Sequence, residues 1–141
     1  MLFRSTAADL ADYKVREATP VVCTYRGYEI VTNQAPHGGP TLAQILKILE
    51  HDDLRAMRHN SAQYILRVSL AMKAAFADRN RFLGDPDFEP DRVHWMLSPE
   101  RICEWRRMIE SGQPIKVDRG PMESKDTTQV TVVDQIGRAH V

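Results

Sequence analysis

Two breakers limit every element this chain can form. Gly38-Gly39-Pro40 and Gly84-Asp85-Pro86-Asp87 bring together free backbone rotation, missing N–H donors and turn-forming carboxylates, so no continuous helix or strand crosses them. Between them, Leu42, Ile45, Leu46 and Leu49 fall at i, i+3, i+4 and i+7, which predicts a helix burying that stripe, with Pro40 suited to its first turn. A second helix is predicted from about Ser61 to Phe82, with Tyr64, Val68, Met72, Ala75 and Phe76 on its apolar face. Ala71, Ala74, Ala75 and Ala77 would let another element approach it closely.

Outside the breakers the pattern changes. Thr6-Ala-Ala-Asp9 fits a capping box and predicts a short helix continuing through Leu10 and Tyr13. Val21 to Tyr25 and Tyr28 to Thr32 are rich in β-branched and aromatic residues and are joined by Arg26-Gly27, which predicts a β-hairpin. Ser98-Pro99-Glu100 starts a third long helix with Ile102, Trp105, Met108 and Ile109 on one side. Gln113 to Ser124, with two prolines and a glycine, reads as a connection, and Thr128 to Asp134 as a strand. The fold class expected is therefore α+β: a mainly helical segment with a hairpin near the N-terminus and one C-terminal strand.

Bulk properties narrow the partners. The chain has 141 residues, 43% of them hydrophobic, enough for about one domain. Its 19 basic residues balance 19 acidic ones, so the long-range field that gathers nucleic acid or anionic lipid is missing, and no nucleic-acid partner is expected. No apolar run approaches the roughly 18 residues of a membrane span, and Met1-Leu2-Phe3-Arg4 lacks the apolar stretch of a signal peptide. Cys23 and Cys103 match no C-x-x-C pattern and leave the compartment open.

Most short constellations carry little chemistry. His37, His51, His59 and His94 show no spacing that puts two ligands on one helix face, so no metal is expected. Asp85, Asp87, Glu89 and Asp91 alternate like cation ligands but lack the glycine and terminal glutamate of a calcium loop, and read as a solvated turn. His37-Gly38-Gly39 before a helix has the look of an anion cradle, but with no G-x-S-x-G elsewhere a backbone-turn role is favoured. The Arg and Glu residues from Glu100 to Glu110 read as a solvated face. Asp126-Thr127-Thr128 would by itself be an ordinary strand start.

Taken together, five blocks say more. Tyr25-Arg-Gly-Tyr28, the Gly38-Gly39 pair followed by Leu42 to Glu50, Ala74-Ala-Phe-Ala-Asp-Arg79, Leu83-Gly-Asp-Pro-Asp-Phe88 and Asp126-Thr-Thr-Gln-Val-Thr-Val-Val-Asp134 resemble, in order and separation, the γ-glutamyltransferase (γ-glutamyltranspeptidase, glutathione hydrolase) family of the Ntn-hydrolase superfamily. The resemblance runs from about Ser5 to Gln135 and implies a fragment of an αββα sandwich. Residues 1–126 would close the large subunit and residues 127–135 would open the small one.

By that resemblance the precursor cuts itself between Asp126 and Thr127, and Thr127 becomes the nucleophile with its own new α-amine as base. The physical logic agrees: a threonine hydroxyl is a poor nucleophile without an adjacent base, and an α-amine titrates at about 7.7 to 8, near working pH. The resemblance implies a γ-glutamyl substrate of the glutathione kind, an acceptor amine or water, the remainder of both subunits as partner, and neither metal nor organic cofactor. It is compatible with a periplasmic or extracellular location and equally leaves a cytoplasmic one open.

Gln129 stands where the family usually has histidine, and Gln34-Ala-Pro-His37 replaces its proline- and serine-rich stretch. The family's oxyanion glycines and substrate-gripping residues have no counterpart in this segment. Ile136 to Val141 leaves the family's continuation after Gly137 and reads like one frame of a sequencing adapter, so a non-native tail is expected there. The isolated chain is expected to be inactive, and to fold poorly or associate, because its last strand has unpaired edges. Two alternatives stand beside the main reading: an amidohydrolase of the cephalosporin or glutaryl acylase kind using the same Thr127, and a non-catalytic helical module.

Overall fold

The computed structural model describes residues 6–15, 17–118, 132–133 and 139–140. Helix α1 (Ala7–Asp12) opens on the expected capping box. Thr6 Oγ1 accepts from the Asp9 N–H at 3.3 Å, and the Asp9 carboxylate accepts from the Thr6 N–H at 2.7 Å. The Thr6 N–H bond foremost, and then the Thr6 hydroxyl donating to the same carboxylate oxygen at 2.8 Å, hold the Asp9 carboxyl below its ordinary range. No residue of α1 is buried, so its capping is local and adds nothing to the core.

Strands β1 (Val21–Tyr25) and β2 (Tyr28–Thr32) form the predicted hairpin, antiparallel with Val21 opposite Thr32 and Tyr25 opposite Tyr28. Both turn residues have positive φ, 50° at Arg26 and 86° at Gly27, the left-handed pair that matches the twist of a two-residue hairpin. Arginine is an uncommon choice there. Its place is held by an N–H to Glu50 Oε1 bond of 3.3 Å and by a guanidinium contact to the Asp52 carbonyl, both from the end of the next helix.

Helix α2 (Gly39–Leu49) is the hub, touching the hairpin and every later helix. Pro40 sits in its first turn as expected. The buried face overlaps the predicted stripe only in part, at Leu49 and Ile45. Thr41, Ala43, Gln44, Ile48 and Leu49 are buried, Ile45 and Leu46 are half-buried, and Leu42 is left 48% exposed. The helix is rotated because Gln44 finds acceptors for its amide N–H groups inside the protein, on Asp78 and the Met96 carbonyl.

Helix α3 (Ala62–Phe82) is capped by Ser61, whose Oγ accepts from the Tyr64 N–H at 3.1 Å. Ala71, Ala74 and Ala75 are fully buried, confirming the close approach that small residues allow. Met72, expected on the apolar face, points outward instead. Helix α5 (Pro99–Glu110) starts at the predicted Ser98 cap and buries Ile102, Trp105 and Ile109. A single-turn helix α4 (Val93–Met96), which periodicity cannot detect at that length, lies just before it.

The apolar core gathers Ile48 and Leu49 from α2, Ala71 and Ala74 from α3, Ile102, Trp105 and Ile109 from α5, and Ile115 beyond it. Each large aliphatic side chain buried there contributes about 1.5 to 3 kcal/mol before entropy is counted. The single C-terminal strand expected at Thr128 to Asp134 is represented by β3 (Val132–Val133), paired antiparallel with a further short strand, β4 (Ala139–His140), that was not expected.

Candidate active site

Thr127 and Asp126, the proposed nucleophile and scissile pair, lie outside the described residues, as does Gln129. What the structure does show is how the chain is held before it reaches them. Ile115 is buried in the core, and three residues later the Asp118 carbonyl accepts from Asn80 Nδ2 at 2.8 Å. The backbone is thus fixed to α3 nine residues ahead of Thr127.

The most concentrated polar chemistry is a carboxylate in the helical core. Asp78, on the alanine face of α3, is 1% exposed. Its Oδ2 accepts from Gln44 Nε2 at 2.7 Å, Trp105 Nε1 at 2.7 Å and Arg101 Nε at 3.0 Å, while Oδ1 accepts from Arg101 Nη2. Gln44 Nε2 also donates to the Met96 carbonyl at 2.8 Å, so both amide hydrogens are committed and the amide cannot be reversed. Gln44 Oε1 and the neighbouring Thr41 Oγ1 are buried without a hydrogen bond among the described residues.

Arg101 completes the node. Its guanidinium stacks 4.3 Å from the Trp105 ring centroid and 4.7 Å from that of Trp95. Burial alone would lower its pKa, but the hydrogen bonds to Asp78 and Glu104 outweigh burial and hold it above the ordinary value. This corrects the reading of the α5 charges as a solvated face at Arg101, while Glu100, Glu104, Arg107 and Glu110 are exposed as expected. The signal was present in Asp78, which continues the Ala71, Ala74 and Ala75 spacing and therefore had to be buried and partnered.

A second ion pair closes the far side. Arg67 on α3 grips Asp52 through two bonds of 2.8 Å, and the first of these effects, the hydrogen bond itself, raises the arginine pKa. Asp52 follows α2 directly, and its carbonyl also receives Arg26 from the hairpin turn. In the node and in this pair each charge is engaged by protein groups, and both join separate elements of the fold.

The clefts offer less. One of about 560 Å3 runs between β1 and the start of α5, with Cys23, Lys47, His94 and Ser98 on its walls. Burial pushes the Cys23 thiol pKa up, although nearby Lys47 opposes the effect. Lys47 is engaged with the Thr24 carbonyl at 3.1 Å and with Glu50, and Ser98 Oγ caps α5. Among the described residues, no group of three His, Cys, Asp or Glu could hold a metal. Nor is any helix there long and apolar enough to cross a membrane.

His37-Gly38-Gly39 behaves as a turn. A Cβ on Gly39 would lie 1.9 Å from the Asn33 carbonyl oxygen, and the Gly39 N–H donates to Asn33 Oδ1 at 2.9 Å. The glycine is required by close packing against the end of the hairpin, and its N–H is already taken.

An α+β arrangement of hairpin and helices superposable on this one is found in a γ-glutamyltranspeptidase and a cephalosporin acylase. The γ-glutamyltranspeptidase from Helicobacter pylori superposes with a TM-score of 0.65 at 32% identity, covering 82% of this chain and 32% of that one. Cephalosporin acylase from Bacillus halodurans gives 0.64 at 26% identity, covering 73% and 19%. The glutathione hydrolase proenzyme of Pseudomonas sp. (strain A14) is 37% identical over 140 residues, 95% of this chain and 24% of its own length. The acylase ACY 1 proenzyme of Pseudomonas sp. (strain SE83) is 36% identical, covering 92% and 24%.

The family model described as Gamma-glutamyltranspeptidase matches residues 5–140. The chain belongs to the γ-glutamyltranspeptidase family. It spans about a quarter of the length of the curated relatives it matches.

Proposed function

We propose that this chain is an internal piece of a self-cleaving γ-glutamyltransferase or glutathione hydrolase precursor. In this reading residues 1–126 end the large subunit, residues 127–135 begin the small one, and residues 136–141 are a non-native tail. The observation that carries it is the family match over residues 5–140, which takes in Asp126-Thr127-Thr128. Because that match continues to residue 140, the tail boundary rests only on the departure of Arg138-Ala-His-Val141 from the family's continuation.

In the precursor, Thr127 Oγ attacks the Asp126 carbonyl carbon. The peptide C–N bond breaks, the hydroxyl proton ends on the departing nitrogen, and an ester remains that water hydrolyses. The freed α-amine of Thr127 then takes the proton of the same Oγ as it attacks the γ-carbonyl carbon of a γ-glutamyl amide; the amide C–N bond breaks, and the amine leaves with that proton. The acyl-enzyme passes its γ-glutamyl group to water or to an acceptor amine, and Thr127 is regenerated. No step calls for a metal or organic cofactor. The isolated chain is expected to be inactive.

An acylase reading of the same Thr127 is supported by the 36% identity to the acylase ACY 1 proenzyme, close to the 37% for the glutathione hydrolase proenzyme. One experiment separates the readings. The full-length precursor is expressed, its cleavage followed by gel and by sequencing of the new N-terminus, and the product offered a γ-glutamyl anilide and an acyl amide lacking the α-amino acid group. A new N-terminus at Thr127 with anilide turnover is the expected result. Turnover of only the second substrate selects the acylase, and an uncut chain unaffected by Thr127→Ala selects a non-catalytic helical module.

A further inference from the structure

Helix α5 returns the chain to the core in a way that fixes where the segment leading to Thr127 begins. Gly112 takes a φ of 68°, the left-handed conformation that ends many helices, and the Gln113 N–H donates to the Met108 carbonyl at 3.0 Å. Burial then alternates: Ile115 is buried, Lys116 exposed, Val117 half-buried and Asp118 exposed, the period of an extended chain with one side against the protein. Ile115 belongs to the helical core, and Val117 packs against it, as does Ala77 of α3. One turn beyond Ala77, Asn80 Nδ2 donates to the Asp118 carbonyl at 2.8 Å. Residues 113–118 are therefore a strap laid over the helices and pinned at its end to α3.

The end of α3 is a firm place for that pin. Phe82 meets the Trp95 ring edge-on with centroids 4.9 Å apart, and Trp95 stacks on Arg101, which holds Asp78. The Leu83 N–H closes the helix on the Arg79 carbonyl at 3.0 Å. Asn80 lies between Asp78 and Phe82, so its side chain projects from backbone held on both sides.

We propose that this strap is the upstream anchor for self-cleavage, and that Asn80 is a positioning residue for the cut between Asp126 and Thr127. The proposal rests on the reading of Thr127 as the self-cleaving nucleophile. Asp118 precedes Thr127 by nine residues, so even a fully extended chain keeps the nucleophile within about 30 Å of the anchor. Attack on the adjacent carbonyl needs the scissile turn held in one arrangement, which means closing the link between a fixed upstream point and the segment after Thr127. The entropy lost in that closure grows with the length of the link, and the strap sets this at nine residues instead of the fifteen counted from Gly112. The Asn80 bond is exposed, so it adds little to global stability while fixing the last carbonyl before the link.

Timed self-cleavage of the full-length precursor tests the anchor. Precursor made by cell-free translation is quenched at intervals and the cut fraction read on gels. A Gly-Ser insert after Asp118 that doubles the link is expected to slow cutting about threefold, because closure probability falls as the 3/2 power of length. The same insert between Gly112 and Gln113, upstream of the strap, is expected to leave the rate unchanged. Asn80→Ala is expected to slow cutting by up to about 1.5-fold, the figure for a link lengthened to the twelve residues from Ile115. Asn80→Gln, which keeps an amide donor, should restore the rate. Anilide turnover per cut molecule and the thermal midpoint should stay constant in both Asn80 variants, whereas a general loosening of the fold would lower them.

Slowing as large from the upstream insert as from the downstream one, or from neither, overturns the anchor. Wild-type cutting by Asn80→Ala overturns the role of Asn80, as does a fall in its thermal midpoint in step with the cutting rate. A wild-type precursor that never cuts at Thr127 rejects the catalytic reading and the anchor with it. Normal cutting that ignores both inserts rejects the anchor alone.

Discussion

Trp105 donates its indole N–H to Asp78 Oδ2 across 2.7 Å, joining α5 to α3 through two residues 27 positions apart. With Arg101 and Gln44 on the same carboxylate, removal of Asp78 leaves a guanidinium that is only 14% exposed with the half-exposed Glu104 as its remaining ion partner. Asp78→Ala is expected to cost about 3 to 5 kcal/mol, the range for breaking a buried pair from one side. Urea unfolding followed by tryptophan fluorescence measures it. Adding Arg101→Met should recover part of the loss, since the buried charge that has lost its main partner leaves with it.

The two adjacent glycines should respond in opposite ways. Gly39→Ala drives a methyl into the Asn33 carbonyl oxygen, a backbone atom that cannot swing aside, and is expected to lose about 1 to 3 kcal/mol. Gly38→Ala meets nothing within 4 Å at an ordinary φ of −75°, so its urea midpoint should shift by no more than about 0.5 kcal/mol. Equal effects would show that the α2 entry packs less tightly against the hairpin than described.

The two thiols differ in reactivity. Cys23 is half-buried and burial raises its pKa, while Cys103 on α5 is exposed. At pH 8 iodoacetamide should modify Cys103 first, and Cys23 should approach the same rate only in urea, because the thiolate is the reacting form. Mass spectrometry of timed digests reads both sites. Preferential labelling of Cys23 in the folded chain would contradict its place on the cleft wall.

Acid should weaken the join between hairpin and α2. The Glu50 carboxyl is held below its ordinary 4.5, first by the hydrogen bond from Lys47. The unfolded chain therefore takes up the proton more readily, so this contribution is fully present above about pH 4.5 and lost as pH falls through the lower folded value. Urea midpoints of the wild type and Glu50→Gln, compared from pH 6 down to pH 3, should differ at the upper end and converge at the lower.

Much of the fold was legible because local signals and tertiary contacts agree. The Thr6, Ser61 and Ser98 caps, the Arg26-Gly27 turn and the breakers are all short-range physics, and each sits where its residues require. Facing was less legible. The rotation of α2 that exposes Leu42 and buries Gln44 depends on Asp78 and the Met96 carbonyl, partners 34 and 52 residues away that no helical period records. Arg101 was misread for the same reason: an arginine on a helix is usually solvated, and only the position of Asp78 shows that this one is not. The single turn of α4 is too short to carry a period. As for the site, the ordered motifs were sufficient to place the chain in its family, while the geometry of Thr127 lies outside the described residues.

The Asp78 node also imposes an order on synthesis. Its acceptor and one donor, Gln44, leave the ribosome early, but Arg101 and Trp105 come more than twenty residues after Asp78. Until they emerge, α3 carries a carboxylate on the face it must later bury, so the nascent helix pair α2–α3 is expected to stay open and wet. Closure then waits for α5, whose arrival both neutralises the charge and seals the core. A stalled nascent chain from which Trp105 has not yet emerged should hold a protease-sensitive hairpin and helix pair, and one from which Ile115 has emerged a resistant one.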